Sequence, residues 1–100
     1  MIYGIYSDIH GNLEALQAVL DRMKELGVQR RICLGDLVGY CANPNECVDL
    51  IRQNSDVVIL GNHDSVALGR ETSENFNFYA RRAIEWTREN LSPSSGEFLQ

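Results

Sequence analysis

Apolar and polar residues are arranged along the chain in blocks that predict strands and helices in turn. Three short runs rich in β-branched and aromatic residues predict strands at residues 2–7, 32–34 and 57–60. Between these runs, apolar residues recur at helical spacing from Leu13 to Leu26, and again in a segment that begins at Pro44. The order β-α-β-α-β predicts an α/β fold with a parallel sheet and right-handed crossovers.

Residue types at the segment ends support these two helices. Asn12 is a favourable N-cap for the first helix, and Gly27 is a suitable C-terminal stop. Asn43 is expected to cap the second helix, with Pro44 in its first turn, and that helix should fray near Asn54.

The pattern is weaker after the third strand. Residues 66–68 predict a single helical turn, and Asn75 is expected to cap a third helix that continues to Leu91. The segment 92–96 contains proline, glycine and serine and predicts a break. Residues 97–100 then begin another apolar segment.

Length and charge limit the classes of protein that fit. One hundred residues correspond to one small domain, which we assign to residues 1–100. The net charge of −5 argues against a nucleic-acid backbone or an anionic membrane as partner, although bound metal ions could still hold an anionic substrate. The N-terminus has no basic region and no apolar run approaches a membrane span, so we expect a cytoplasmic protein without membrane contact.

Polar side chains follow each predicted strand at the point where it ends. They are Asp8, His10, Asp36, Asn62, His63 and Asp64. Each of them alone could be a turn or cap residue, but together they include both histidines of the chain and follow three consecutive strands. If the strands are parallel neighbours, these residues converge at one sheet edge, and Asp36 could reach both flanking motifs. Carboxylate, imidazole and amide ligands suit Mn²⁺, Fe²⁺, Zn²⁺ or Ni²⁺, and a pair of such ions can activate water and hold a phosphoryl group.

Three motifs carry a resemblance to a known family. They are Asp8-Ile-His10-Gly-Asn12, Gly35-Asp36-Leu-Val-Gly39 and Gly61-Asn62-His63-Asp64, which we call the first, middle and third strand-end motifs. In order and spacing they resemble the first three signature blocks of the calcineurin-like metallophosphoesterases, in particular the small prokaryotic-type phosphodiesterase or phosphatase branch. The resemblance implies a hydrolase that cleaves small phosphomonoesters or phosphodiesters with a metal-activated hydroxide and two divalent ions. It also implies half of a double-sheet sandwich flanked by helices.

The resemblance also implies a role for each matching residue. Asp8 and His10 would bind the first metal, Asp36 would bridge the two metals, and Asn62 would bind the second. His63 would be the catalytic residue beside the scissile phosphate, and Asn62 and His63 would contact the substrate.

The sequence departs from the family pattern at three points. Gly39-Tyr40-Cys41 stands where the protein phosphatases of the family have Asp-Arg-Gly, and Asp64 stands where they have glutamate. Asp64 could orient His63 or cap the following turn. No histidine follows His63, whereas the family completes its site with later histidines.

We therefore expect the N-terminal part of a metallophosphoesterase domain, inactive or weakly active alone. One sheet face would be apolar and uncovered, which could allow homo-oligomers. The alternatives are a non-catalytic scaffold or an inactive remnant of the same fold.

Overall fold

The structure is a computed structural model that describes residues 1–100 and contains three strands and five helices. In chain order they are β1 (Tyr3–Tyr6), α1 (Leu13–Glu25), β2 (Arg30–Cys33), α2 (Pro44–Asn54), β3 (Val57–Val58), α3 (Asn62–Ala67), α4 (Phe78–Asn90) and α5 (Pro93–Leu99). The strands form one parallel sheet in the order β1-β2-β3. The predicted α/β class and the β-α-β-α-β order are confirmed.

The strand register brings the three strand ends to one level. Tyr6 pairs with Cys33, and Cys33 pairs with Val58. The third strand is shorter than the predicted 57–60, although the amide of Ile59 still donates to the carbonyl of Cys33 at 2.9 Å. The strand-end motifs therefore leave the same edge of the sheet, as expected for parallel neighbours.

Helix α1 packs closely on β1 because the strand carries a glycine at the contact. A Cβ atom at Gly4 would lie 2.8 Å from Cε of Met23 on α1. Asn12 caps this helix as predicted, accepting from the amide of Ala15 at 3.1 Å. The capping of α2 is different: Asn43 occupies the cap position, but its side chain donates to Glu46 instead of accepting from the backbone.

The helices cover one face of the sheet and leave the other face open. Tyr6 and Cys33 point into the core, where they join apolar residues of α1, α2, α3, α4 and α5. On the opposite face Tyr3 and Ile5 are both more than half exposed. The first strand was predicted to be buried, and this is correct for one of its faces only. The uncovered apolar face corresponds to the expectation for half of a double-sheet sandwich.

The C-terminal half of the chain contains more helix than the sequence pattern indicated. Helix α3 begins at Asn62, within the third strand-end motif, and not at residue 66. Helix α4 is capped by Asn77, which accepts from the amide of Ala80 at 2.9 Å, so the predicted cap at Asn75 is wrong by two residues.

The predicted break at 92–96 is also wrong. Ser92 accepts from the amide of Ser95 at 3.1 Å and Pro93 occupies the first turn of α5, an arrangement that starts a helix. None of the five helices combines the length and the apolar character that crossing a membrane requires.

Candidate metal centre

Backbone hydrogen bonds join the first and middle strand-end motifs. The amide of Asp8 donates to the carbonyl of Gly35 at 3.0 Å, and the amide of His10 donates to the carbonyl of Asp36 at 2.9 Å. The amide of Gly11 donates to the carbonyl of Leu37 at 2.8 Å. These bonds continue the β1–β2 pairing beyond the strands, so the positions of the two motifs are set by the sheet.

The third motif is held to the middle motif mainly through side chains. Oδ1 of Asp36 accepts from the amide of His63 at 3.0 Å. A Cβ atom at Gly35 would lie 2.5 Å from the backbone N of Gly61, so these two motifs touch backbone to backbone. Asp36 thus contacts both flanking motifs, as its middle place in the sequence predicted.

Asp64 forms the second link between these motifs. Its Oδ1 accepts from the amides of Leu37 and Val38 at 2.9 and 3.2 Å, and its Oδ2 accepts from the amide of Gly61 at 3.0 Å. The side chain is 0% exposed, and burial raises the pKa of Asp64 while the three amides oppose that rise. Asp64 therefore fixes the backbone of the middle motif.

Neither role weighed for Asp64 holds as predicted: no hydrogen bond joins it to His63, and it lies within α3, where it accepts from the preceding amide of Gly61 and does not cap a following turn. Its bonds to Leu37 and Val38 were missed. An acidic residue three positions after Gly61 matches the acidic half of a capping box and was a signal for the bond to Gly61, whereas no local pattern indicates the bonds to Leu37 and Val38.

Three predicted site residues form a compact group at this edge. One ligating atom each from His10, Asp36 and His63 lies within 4.8 Å of the others. Asp8 lies beside the group, with its Oδ1 3.3 Å from Nε2 of His10. The side chain of Asn62, the next predicted ligand, is exposed and lines a neighbouring polar cleft together with Glu71, Thr72, Asn75 and Phe76.

The ring of His10 is oriented for ligation through Nε2. Its Nδ1 lies 3.0 Å from the carbonyl oxygen of Val38. A carbonyl can only accept, so a hydrogen bond here uses Nδ1 as the donor, and Nε2 is the ring nitrogen that faces Asp8. A backbone carbonyl that fixes the tautomer in this way is a common support for histidine metal ligands.

Asp8 is ionised at neutral pH. The hydroxyl of Ser7 donates to its Oδ2 at 2.6 Å, and this bond is the main reason why the pKa of Asp8 lies below its usual value. The side chains of Asp36 and His10 lower the pKa further. A carboxylate in this state offers free oxygen lone pairs to a cation.

His63 lies between aromatic rings and has an unsatisfied nitrogen. Its ring centroid is 4.7 Å from that of His10, 5.1 Å from that of Tyr40 and 4.6 Å from that of Phe76, in each case edge to face. Its Nδ1 is buried and has no hydrogen-bond partner. Burial is the main cause that lowers the pKa of His63, and the nearby His10 adds to this, so the ring is uncharged at neutral pH.

Four residues other than glycine have a left-handed backbone. They are Asp8 with φ 59°, His10 with φ 52°, Asp36 with φ 55° and Tyr40 with φ 67°. This region is uncommon for side chains of L-residues and tends to occur at functional sites. Three of the four are the predicted ligands of the first metal, and the fourth, Tyr40, lies in the loop after the middle motif, where the sequence suggested a possible substrate contact.

The residues present fit a divalent cation. The donor set of imidazole and carboxylate is the one expected for Mn²⁺, Fe²⁺, Zn²⁺ or Ni²⁺. A buried imidazole nitrogen without a partner is rare in folded proteins and indicates that a group is still to be bound. His10 and Asp36 lie within 4.8 Å of each other and of His63, so the imidazole and carboxylate donors are already close enough to serve one cation site, with His63 beside it.

Comparisons with known proteins agree with this geometry. The sequence model of the calcineurin-like phosphoesterase family matches residues 1–99. The uncharacterized protein MJ0912 of Methanocaldococcus jannaschii is 50% identical over 95 residues, which are 95% of this chain and 39% of that protein. The crystal structure of a metallophosphoesterase from Sphaerobacter thermophilus superimposes with a TM-score of 0.79 at 40% identity, covering 97% of this chain and 39% of the other. The chain therefore spans about two fifths of the length of each of these relatives.

Proposed function

Because the chain belongs to the calcineurin-like phosphoesterase family, we propose that it takes part in metal-dependent hydrolysis of phosphomonoesters or phosphodiesters. The observation that carries this proposal is the group formed by His10, Asp36 and His63 at the carboxyl edge of the sheet. Open parallel sheets bind ligands at this edge.

The residues have distinct proposed roles. Asp8, His10 and Asp36 would hold the first divalent ion, and Asp36 and Asn62 would hold the second. Bound divalent ions polarise phosphoryl oxygens and lower the pKa of bound water. His63 would lie beside the phosphate, where a ring N–H would donate to a phosphate oxygen.

The second ion has fewer ligands within this chain than the first. Asp36 and Asn62 are its two proposed ligands, whereas three are proposed for the first ion. We propose that further ligands come from outside residues 1–100. This is consistent with relatives in which the matching segment is 39% of the chain.

The direct test measures metal content and hydrolysis together. The protein, expressed from its native gene, is loaded with Mn²⁺ and assayed with p-nitrophenyl phosphate and bis(p-nitrophenyl) phosphate, which separates monoesterase from diesterase activity. Asp36→Asn should lower both bound metal and rate, because it removes a charged ligand in contact with all three motifs.

Asp21→Asn is the matched control, since Asp21 is exposed on α1 and outside the metal centre. It should leave metal content and rate unchanged. Full metal loading and full activity in Asp36→Asn would overturn the proposed role of Asp36. Metal binding without hydrolysis of any phosphate ester would favour a non-catalytic scaffold.

A further inference from the structure

A small apolar pocket lies next to the metal centre and has no role in the function proposed above. Its volume is about 160 Å³. Tyr40, Cys41 and Ala42, from the loop after β2, line one side, and Ala83 and Trp86 of α4 line the other. No charged side chain lines it, so it suits an uncharged apolar group.

Tyr40 is shared between this pocket and the metal centre. Its ring centroid lies 5.0 Å from that of His10 and 5.1 Å from that of His63, with interplanar angles of 90° and 85°. The Tyr40 ring therefore borders both the pocket and the metal centre.

The two aromatic residues that line the pocket, Tyr40 and Trp86, are more exposed than core residues. Tyr40 is 51% exposed and Trp86 is 43% exposed, although both are large apolar rings. Tyr40 is also held in a left-handed backbone conformation, which otherwise occurs outside glycine only at Asp8, His10 and Asp36. Such strain persists where the surrounding structure enforces it, and it tends to occur at functional sites.

The charges beyond Trp86 limit what the bound group can carry. Glu85 and Glu89, with Arg82, line the next hollow along α4, on which Trp86 also borders. Two carboxylates and one guanidinium leave a net negative charge there. A group that extends past the pocket is therefore disfavoured if it bears a second phosphate.

We propose that this pocket binds a planar aromatic ring of the substrate, with Tyr40 and Trp86 as its walls and the ester phosphate at the metal centre. This inference rests on the proposed function and names the substrate class: phosphoesters in which an uncharged aromatic ring is joined to the phosphate. The two residues are specificity determinants, and neither takes part in the bond-breaking step.

The test compares two non-hydrolysable ligands, phenylphosphonate and methylphosphonate, by calorimetric titration of the Mn²⁺-loaded protein expressed from its native gene. The wild type should bind phenylphosphonate about tenfold more tightly, the effect expected from stacking one ring. Trp86→Ala and Tyr40→Ala should bring the ratio of the two dissociation constants close to one. Trp86→Phe and Tyr40→Phe, which keep an aromatic wall, should retain most of the preference.

Tyr79→Ala is the matched control. Tyr79 is an aromatic residue on the same helix, is 79% exposed and does not line the pocket, so its variant should keep the wild-type ratio. Far-UV circular dichroism of every variant confirms that the fold is intact.

The outcomes separate this inference from the proposed function. Equal affinity for the two phosphonates in the wild type, or an unchanged ratio in Trp86→Ala and Tyr40→Ala, overturns the aromatic pocket and leaves the hydrolase proposal standing. If neither phosphonate binds and no phosphate ester is hydrolysed, the proposed function is wrong and the inference is wrong with it. A selective loss of phenylphosphonate affinity supports both.

Discussion

The buried carboxylate of Asp64 should control the stability of the whole sheet edge. Replacing it in Asp64→Ala removes the acceptor of three amides, those of Leu37, Val38 and Gly61. Leu37 and Val38 are completely buried, so water cannot replace the lost acceptor. Each buried donor left without a partner costs about 1–3 kcal/mol. Gly61 is partly exposed, and its amide can turn to water at little cost.

The two buried amides together predict a loss of about 2–6 kcal/mol in the free energy of unfolding. A domain of this size has a total stability of about 5–15 kcal/mol, so Asp64→Ala should lose a large share of it. Asp64→Asn keeps one carbonyl oxygen for Leu37 and Val38 but turns an NH₂ group toward the amide of Gly61. Its loss should be smaller, about 1–2 kcal/mol.

Urea unfolding followed by far-UV circular dichroism measures these losses, and the metal ions are removed by a chelator so that binding does not contribute. Asp21→Ala, an exposed aspartate on α1, should change stability by less than about 0.5 kcal/mol. A loss below about 1 kcal/mol in Asp64→Ala, with an unchanged dependence on urea, would refute the view that Asp64 satisfies buried amides.

Three further predictions concern single positions. Gly61→Ala should destabilise the protein by about 1–3 kcal/mol, because the added Cβ would lie 2.5 Å from the backbone N of Asp36. Gly96→Ala in α5 is the control: its Cβ meets no close atom, so thermal unfolding should show a neutral or stabilising effect. The pKa of His63 in the folded protein is lowered from 6.5, so the free energy of unfolding is highest above that pH and falls as the pH drops through the folded pKa. His63→Asn cannot take up this proton and should lose less stability than the wild type between pH 7 and about pH 5. Urea unfolding of the chelated protein at each pH measures this difference. Asn77→Ala should lower the free energy of unfolding by about 1 kcal/mol, because the Asn77 side chain caps α4. An unchanged midpoint of urea unfolding would show that this hydrogen bond contributes nothing to stability.

The sequence predicted the parts of the site that depend on local pattern. Alternating strands and helices placed three polar motifs at one sheet edge, and a parallel order β1-β2-β3 then required them to converge. Asn12 and Pro44 marked the starts of α1 and α2 because capping depends on a few neighbouring residues. The convergence of His10 and Asp36 is therefore a consequence of local signals and strand order.

Other features depend on contacts between distant segments and were missed. The buried position of Asp64 follows from the approach of Gly61 to the middle motif, which no local pattern records. The cap of α4 shifts from Asn75 to Asn77, and the residue between them, Phe76, packs on the ring of His63. The left-handed backbone of Tyr40 is likewise absent from the sequence, because tyrosine rarely adopts it.

The left-handed backbone at the predicted ligands implies a trade-off between thermal stability and the proposed metal binding. For a residue with a Cβ atom this conformation costs about 1–2 kcal/mol, a strain that glycine does not have. Asp8→Gly would therefore relieve strain at an exposed position while it removes a carboxylate from the metal centre. A selection for heat resistance alone should enrich variants of this kind, and the surviving proteins would be more stable but would lack a carboxylate of the candidate metal centre. Engineering of this fold for durability must therefore keep metal binding under selection in every round.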